Sequence, residues 1–281
     1  MSTLLQRLLR ETKKRRVFLK VDIEQGEILQ KRTLSKLLKK AESTVFGKAH
    51  NFNEIMGSDN LLKDYQETAQ MGDYLNMLPW WSRGRMGEEN VTWPGIIKNY
   101  AVSSGTSDGS SKYIPVSTQM LKNIRRASIR QVLSIVQTDV PKDHIAKKWL
   151  MIGGSTELEY NGVYYSGDLS GITTGSVPII FQRLSKPGVQ IRNEKDWVEK
   201  IAKMTNEASS WDVGLIAGVP AWVKMLMESI IEKYQVGNIH EIWPNFEAYI
   251  HGGVALNPYR KSLDGLLGRP IKYFETYLAS E

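Results

Sequence analysis

Three short apolar runs, each stopped by glycine or just ahead of a proline, constrain the fold more than any other feature. Trp149–Ile152 ends at Gly153-Gly154, Phe246–His251 ends at Gly252-Gly253, and Val213–Ala217 ends at Gly218, two residues before Pro220. Runs this short that stop at glycine read as buried strands. Helix-like segments lie between and after them: Glu194–Thr205, a segment opened by Pro220 and running through Lys233, and Pro258–Leu266. Proline suits a first helical turn because the N–H it lacks has no intrahelical acceptor there. A last strand is expected over Ile271–Ala279. Strands alternating with helices specify an α/β fold with a largely parallel sheet.

The first half is less regular. Residues 1–45 read as helix, a break near Gly26, and helix; residues 45–100 read as irregular structure with short helices, rich in aromatics, glycine and proline. Ile96–Ser103 and Tyr113–Val116 read as strands flanking a loop, and Ser117 as the N-cap of a helix reaching about Val136. Residues 155–190 read as loop with short strands. The sequence shows no internal repeat, flexible linker or domain boundary.

Charge is unevenly placed. The formal net charge is +7, and residues 1–50 hold 13 Lys and Arg against 5 Asp and Glu, so the excess belongs to that segment. Its densest run is Lys13-Lys14-Arg15-Arg16. Leu4, Leu5, Leu8 and Leu9 recur at helical spacing beside Arg7 and Arg10, which makes the charges the solvated side of amphipathic helices. A patch for nucleic acid or anionic lipid is the second reading; no RNA-binding aromatic motif or recognition-helix pattern accompanies it, so no specific nucleic-acid partner is expected.

Cysteine is absent, which removes disulfides, thiolate nucleophiles and thiolate metal sites and suits a cytoplasmic setting. His50, His144, His240 and His251 are the only histidines, and no two stand at helical metal-pair spacing. The most apolar stretch, Val213–Ile231, contains Pro220, Lys224 and Glu228 and cannot be a membrane span of about 20 apolar residues. A soluble protein with no membrane partner is expected.

The segment Ser103–Lys112 reads SSGTSDGSSK. Two glycines allow tight bending, the hydroxyls and backbone N–H groups make a nest for an anion, and Lys112 adds a point charge suited to phosphate. A plain surface hairpin has the same composition. The Walker A loop is excluded: Gly105 and Gly109 are separated by three residues rather than four, and Lys112 stands three residues past the second glycine. The expected context is also wrong, since this loop joins strand to strand.

The run SSGTSDGSSKYIPVS, preceded by Trp93-Pro94-Gly95, resembles the Gretchen Hagen family of acyl-acid amido synthetases. That family includes auxin-responsive proteins and bacterial relatives, within the larger group of adenylate-forming ligases. The resemblance extends to Thr44–Phe52 (TVFGKAHNF), Gly218–Trp222 (GVPAW), Trp243–Tyr259 (WPNFEAYIHGGVALNPY) and Glu275–Glu281 (ETYLASE).

The resemblance implies roles for particular residues. Ser103, Ser104, Gly105, Thr106, Ser107 and Gly109 would wrap the ATP phosphates, with Lys112 as the catalytic cation. Asp108 would point outward or cap a backbone N–H. Tyr277 would lie against adenine, Ser280 would bond a phosphate, and Glu281 would help hold Mg2+, a hard cation that takes oxygen ligands. Gly252 and Gly253 would admit the nucleotide or acyl group close to the backbone. His251 reads as a structural histidine that could also face the acyl pocket. Trp222 and Met225 read as core rather than acyl-site lining, and Arg125, Arg126 and Arg130 as surface residues. The implied reaction adenylates a small carboxylic acid with ATP and passes the acyl group to an amine, usually an amino acid; coenzyme A is the alternative acceptor. Family members continue past the second motif into a Tyr-Arg-x-Gly-Asp motif and a smaller C-terminal domain. Residues 1–281 are therefore expected to be an incomplete large N-terminal domain, binding nucleotide and acyl group but inactive alone. The oligomeric state is left open.

Overall fold

The computed structural model describes residues 25–69, 71–103, 111–135, 137–175 and 183–280. They divide into two compact units, one comprising 123–158 and 167–280, the other 25–122 and 159–166. Each unit is discontinuous in sequence. No linker marks the division because the chain leaves one unit and re-enters it.

The first unit is built on a parallel sheet. Its strands are β3 (Lys148–Ile152), β6 (Ser185–Lys186), β7 (Val213–Gly218), β8 (Ala248–His251) and β9 (Lys272–Glu275), in the order β6-β3-β7-β8-β9. Every pairing is parallel. Successive side chains leave a strand on opposite faces, and the core follows that period. Leu150, Ile152, Ile216 and Tyr249 join one cluster with the helices Trp197–Glu207 and Pro220–Tyr234. Trp149, Leu215, Ala248 and Ile250 join a cluster on the opposite face with Ile135, Val140 and Ile145. Both faces are covered, which is why these strands read as continuous apolar runs.

The helix Pro220–Tyr234 begins with its proline and ends where Gln235 takes a left-handed conformation at φ +53°. Val223, Leu226, Met227 and Ile230 form its buried stripe at helical spacing. Removing one such side chain from water is worth about 1.5–3 kcal/mol. Trp222 is also on this helix and stacks on Trp197, with centroids 4.1 Å apart and planes 6° apart. The helix expected from Glu194 begins at Trp197 instead, because the Asp196 side chain accepts the Glu199 N–H as its cap.

The second unit carries a smaller sheet, β2-β1-β5-β4, from β1 (Asn99–Ser103), β2 (Lys112–Val116), β4 (Glu159–Tyr160) and β5 (Tyr165–Gly167). β1 pairs with β2 antiparallel, as β4 does with β5. Residues 45–100 are more helical than composition suggests: Val45–Ala49, Phe52–Met56, Leu61–Thr68 and Tyr74–Arg85 are helices. Thr44, Asn60 and Asp73 cap three of them with side-chain oxygens. Leu38, Ala41, Phe52 and Ile55 form their common core.

Two other differences have local causes. The 155–190 region contains a helix at Leu169–Gly175 and another at Val189–Asn193; both are too short to show a periodic pattern. The last strand stops at Glu275, four residues short of the expected Ala279, because the Gly252-Gly253 turn removes its partner after His251. Among the described residues no helix is long and apolar enough to cross a membrane. Residues 1–24, with the basic run Lys13–Arg16, lie outside the described residues.

Candidate functional site

The ladder between β1 and β2 ends with Ser103 opposite Lys112. The glycine- and serine-rich segment is thus the connection of an antiparallel hairpin, as its flanking strands implied. Ser104, Gly105, Thr106, Ser107 and Gly109 lie outside the described residues; Ser103 and Lys112 stand at the base.

That base is braced by aromatic rings. The Lys112 Nζ lies 5.3 Å from the centroid of the Tyr74 ring. The Tyr74 hydroxyl accepts the backbone N–H of Tyr113 at 3.1 Å. Arg85 places its guanidinium 4.0 Å from the Tyr113 ring centroid, and its Nε donates to the Tyr164 hydroxyl at 3.1 Å. Tyr164 packs at 4.7 Å from Tyr100, whose hydroxyl burial pushes up to about 12. These contacts fix the strand that starts with Lys112 and leave its cation on a rigid mount. Sequence reasoning missed Arg85, a residue in the last turn of a helix with no motif around it.

In the parallel-sheet unit the remaining candidates gather at the C-terminal ends of the strands, where open α/β sheets bind ligands. β8 ends at Gly252-Gly253, and Gly253 has φ +84°, a conformation that favours glycine. A side chain at Gly252 would run into the Thr276 carbonyl. The Thr276 N–H donates to the His251 carbonyl at 2.8 Å, which ties the end of β8 to the segment carrying Tyr277. Tyr277 is 90% exposed, so its ring is not part of the core. Ser280 is half-buried, and Glu281 lies outside the described residues. The structure therefore brings Gly252, Gly253 and the Tyr277 segment to one edge.

His251 is buried, and its Nδ1 has no partner among the described residues. Loss of hydration lowers its affinity for a proton, outweighing attraction to Glu275. It packs near Tyr249 and Tyr273, with ring centroids at 5.7 and 6.4 Å. Arg125, Arg126 and Arg130 are exposed on the helix Thr118–Ile135. Ser117 caps that helix by accepting the Met120 N–H at 3.1 Å. Trp222 packs against the core, as expected, whereas Met225 is 44% exposed.

No group of three or more His, Asp and Glu among the described residues could hold a metal ion. The Mg2+ expectation rests on Glu281, outside that set. The open Tyr277 ring is a surface on which a planar ring could stack, whereas the space beside Gly252 is taken by the Thr276 carbonyl.

The sequence profile of the GH3 family N-terminal domain matches residues 16–162. Among solved structures, the fold is similar to AtGH3.15 acyl acid amido synthetase in complex with 2,4-DB: TM-score 0.73 and 12% identity, over 99% of this chain and 55% of that one. It is also similar to 2-hydroxyisobutyryl-CoA ligase in the postadenylation state in complex with 2-HIB-AMP, with TM-score 0.55 and 10% identity, over 93% of this chain and 50% of that one. No curated protein matches. The chain spans about half the length of these solved relatives.

Proposed function

The chain belongs to the GH3 family, and from that premise we propose that it is the nucleotide- and acyl-binding part of an ATP-dependent ligase. The reaction joins a small carboxylic acid to an amine, an amino acid being the first choice. The observation that carries this reading is the placement of Lys112 on the first rung of β2, opposite Ser103, at the mouth of the glycine- and serine-rich connection.

In the first half-reaction a carboxylate oxygen bonds to the α-phosphorus of ATP. The bond from that phosphorus to the bridging oxygen breaks, and pyrophosphate leaves with the electron pair. In the second, the amine nitrogen bonds to the acyl carbon, AMP leaves, and the nitrogen loses a proton. The first step transfers a nucleotidyl group between oxyanions and the second expels AMP as an anion, so the protein's part is to position groups and stabilise charge. In this reading Lys112 serves the phosphates as their cation, and Ser103, Ser104, Gly105, Thr106, Ser107 and Gly109 would supply hydroxyls and N–H groups to them. Tyr277 stacks on the base, Ser280 bonds a phosphate, and Gly252-Gly253 leaves room beside the acyl-adenylate. Glu281 would help hold Mg2+, which would spread the triphosphate charge. No Ser-His-Asp arrangement is required. A cytoplasmic location suits an enzyme using ATP and amino acids.

Pyrophosphate exchange into ATP, driven by a panel of carboxylic acids, tests the reading in the native gene product. Exchange should depend on one class of acid, and Lys112→Ala should reduce it about 100-fold, the effect of removing one preorganised charge-stabilising group. Exchange with no acid, or an unaffected Lys112→Ala variant, would contradict it. Likeness to a CoA ligase fold makes coenzyme A the acceptor to compare with amino acids, by mass analysis of products.

A further inference from the structure

The helix Tyr74–Arg85 ends beside an open cleft of about 310 Å3, lined by Ser82, Arg85, Met86, Asn161 and Tyr164. All five residues belong to the hairpin unit. Ser82, Arg85 and Met86 come from the end of the helix, and Asn161 and Tyr164 from the turn between β4 and β5. A volume of that order accommodates a small ligand.

Three contacts hold the Arg85 side chain. Its guanidinium lies 4.0 Å from the Tyr113 ring centroid and 5.5 Å from that of Tyr164, and its Nε donates to the Tyr164 hydroxyl at 3.1 Å. Its Nη1 and Nη2 have no partner among the described residues. Stacking and the Nε bond fix the plane of the group, so its unused N–H groups form a fork set in advance for an oxyanion. No carboxylate lines the cleft. Glu88, three residues further on, is bonded through both oxygens to Arg83.

The other walls add donors. The Asn161 Oδ1 accepts the Val163 and Tyr164 N–H groups at 3.0 and 2.9 Å, which leaves the side-chain NH2 to donate. The Ser82 hydroxyl has no partner among the described residues. The Tyr164 hydroxyl accepts from Arg85 and keeps its own O–H to give. A carboxylate, with two oxygens, is satisfied by the fork alone. A phosphoryl group has three terminal oxygens and a charge near −2 at neutral pH, and it can use fork, amide and hydroxyl together.

The cleft is separate from the mount of Lys112. That lysine stands over the Tyr74 ring, at the first residue of the helix, whereas Arg85 is its last. The helix rise puts the two backbone positions about 16 Å apart.

We propose that Arg85, Ser82 and Asn161 form a binding site for a phosphoryl group, carried by free phosphate or by a small phosphate ester. This binding requires neither a nucleotide nor Lys112.

Calorimetric titration of the protein without ATP, using phosphate, methyl phosphate, acetate and chloride at matched ionic strength, tests the site. Phosphate should bind saturably and more tightly than acetate or chloride. Methyl phosphate distinguishes the sources: equal binding points to an ester and weaker binding to the free ion, and either result sustains the site. Arg85→Lys keeps the charge but loses the fork, and should weaken phosphate about tenfold or more. Asn161→Asp keeps the oxygen that holds the turn and puts a negative charge in place of the donor; it should abolish binding without lowering thermal stability. Ser82→Ala should weaken phosphate about threefold. If Arg85→Lys does not fold, the other two variants carry the test. Lys112→Ala should leave phosphate binding unchanged, so a failure of the nucleotide reading is seen separately. Absence of saturable binding, acetate binding as tightly as phosphate, loss of binding in Lys112→Ala, or an Asn161→Asp variant that binds like the parent would each overturn the proposal.

Discussion

The two units solve the same problem with different materials. The parallel-sheet unit is held by a large core of aliphatic and aromatic side chains on both faces of its sheet, with Leu150, Ile216, Val223, Trp243 and Phe246 fully buried. At the base of its hairpin the second unit relies instead on a few rings and cations: Tyr100 against Tyr164, Arg85 against Tyr113, Lys112 against Tyr74. Aliphatic packing is non-directional and sums over many contacts. Ring–cation packing is local and geometric, so it can fix one side chain without a large core. The difference teaches where each unit tolerates change. The sheet unit depends on volume, whereas the hairpin unit depends on a few named contacts near its candidate phosphate loop.

Substitutions can break or sharpen that contrast. The largest effect is expected in the sheet unit. Leu226→Ala removes a side chain that is 1% exposed and should cost about 3 kcal/mol in urea unfolding. A loss well under 1 kcal/mol would mean that this core is looser than its burial implies.

A smaller effect is expected at the hairpin. Arg85→Ala removes the stack on Tyr113 and the bond to Tyr164. It should cost about 1 kcal/mol, yet reduce acid-dependent pyrophosphate exchange out of proportion, because Lys112 loses part of its support. Equal losses of stability and exchange would reduce Arg85 to a packing residue.

The smallest effect is a pH dependence confined to the sheet unit. The His240 Nε2 bonds to the Phe246 carbonyl at 3.0 Å, and its Nδ1 accepts the Gly268 N–H, also at 3.0 Å. Only the neutral ring can do both. Burial lowers its proton affinity below the ordinary histidine value of 6.5, against the pull of the Phe246 carbonyl. The unfolded chain therefore binds the proton more readily. This contribution to stability is complete above pH 6.5 and is lost as pH falls through the folded-state value. His240→Gln should flatten the slope of unfolding free energy below pH 6.5; an unchanged slope would assign it elsewhere.

Much of the parallel sheet is legible in the sequence. Trp149–Ile152, Val213–Ala217 and the helix opened by Pro220 appear within a residue or so of where apolar runs, glycines and proline place them. Short helices at Leu169–Gly175 and Val189–Asn193 are not, because one or two turns carry too little period to detect. Of the site, the base of the hairpin and the Gly252-Gly253 edge follow from local residue types. Arg85 does not, since it gains its meaning from partners distant in sequence.

Local chemistry thus determined the elements: glycine and proline fix backbone conformation at single positions, and burial on two faces writes itself as an unbroken apolar run. Tertiary structure alone decided the division into two discontinuous units, the strand order β6-β3-β7-β8-β9 and the meeting of Ser82, Arg85, Asn161 and Tyr164 in one cleft. The reason is physical. Strand order and the walls of a cleft depend on residues far apart in the chain, and no window of sequence contains all of them.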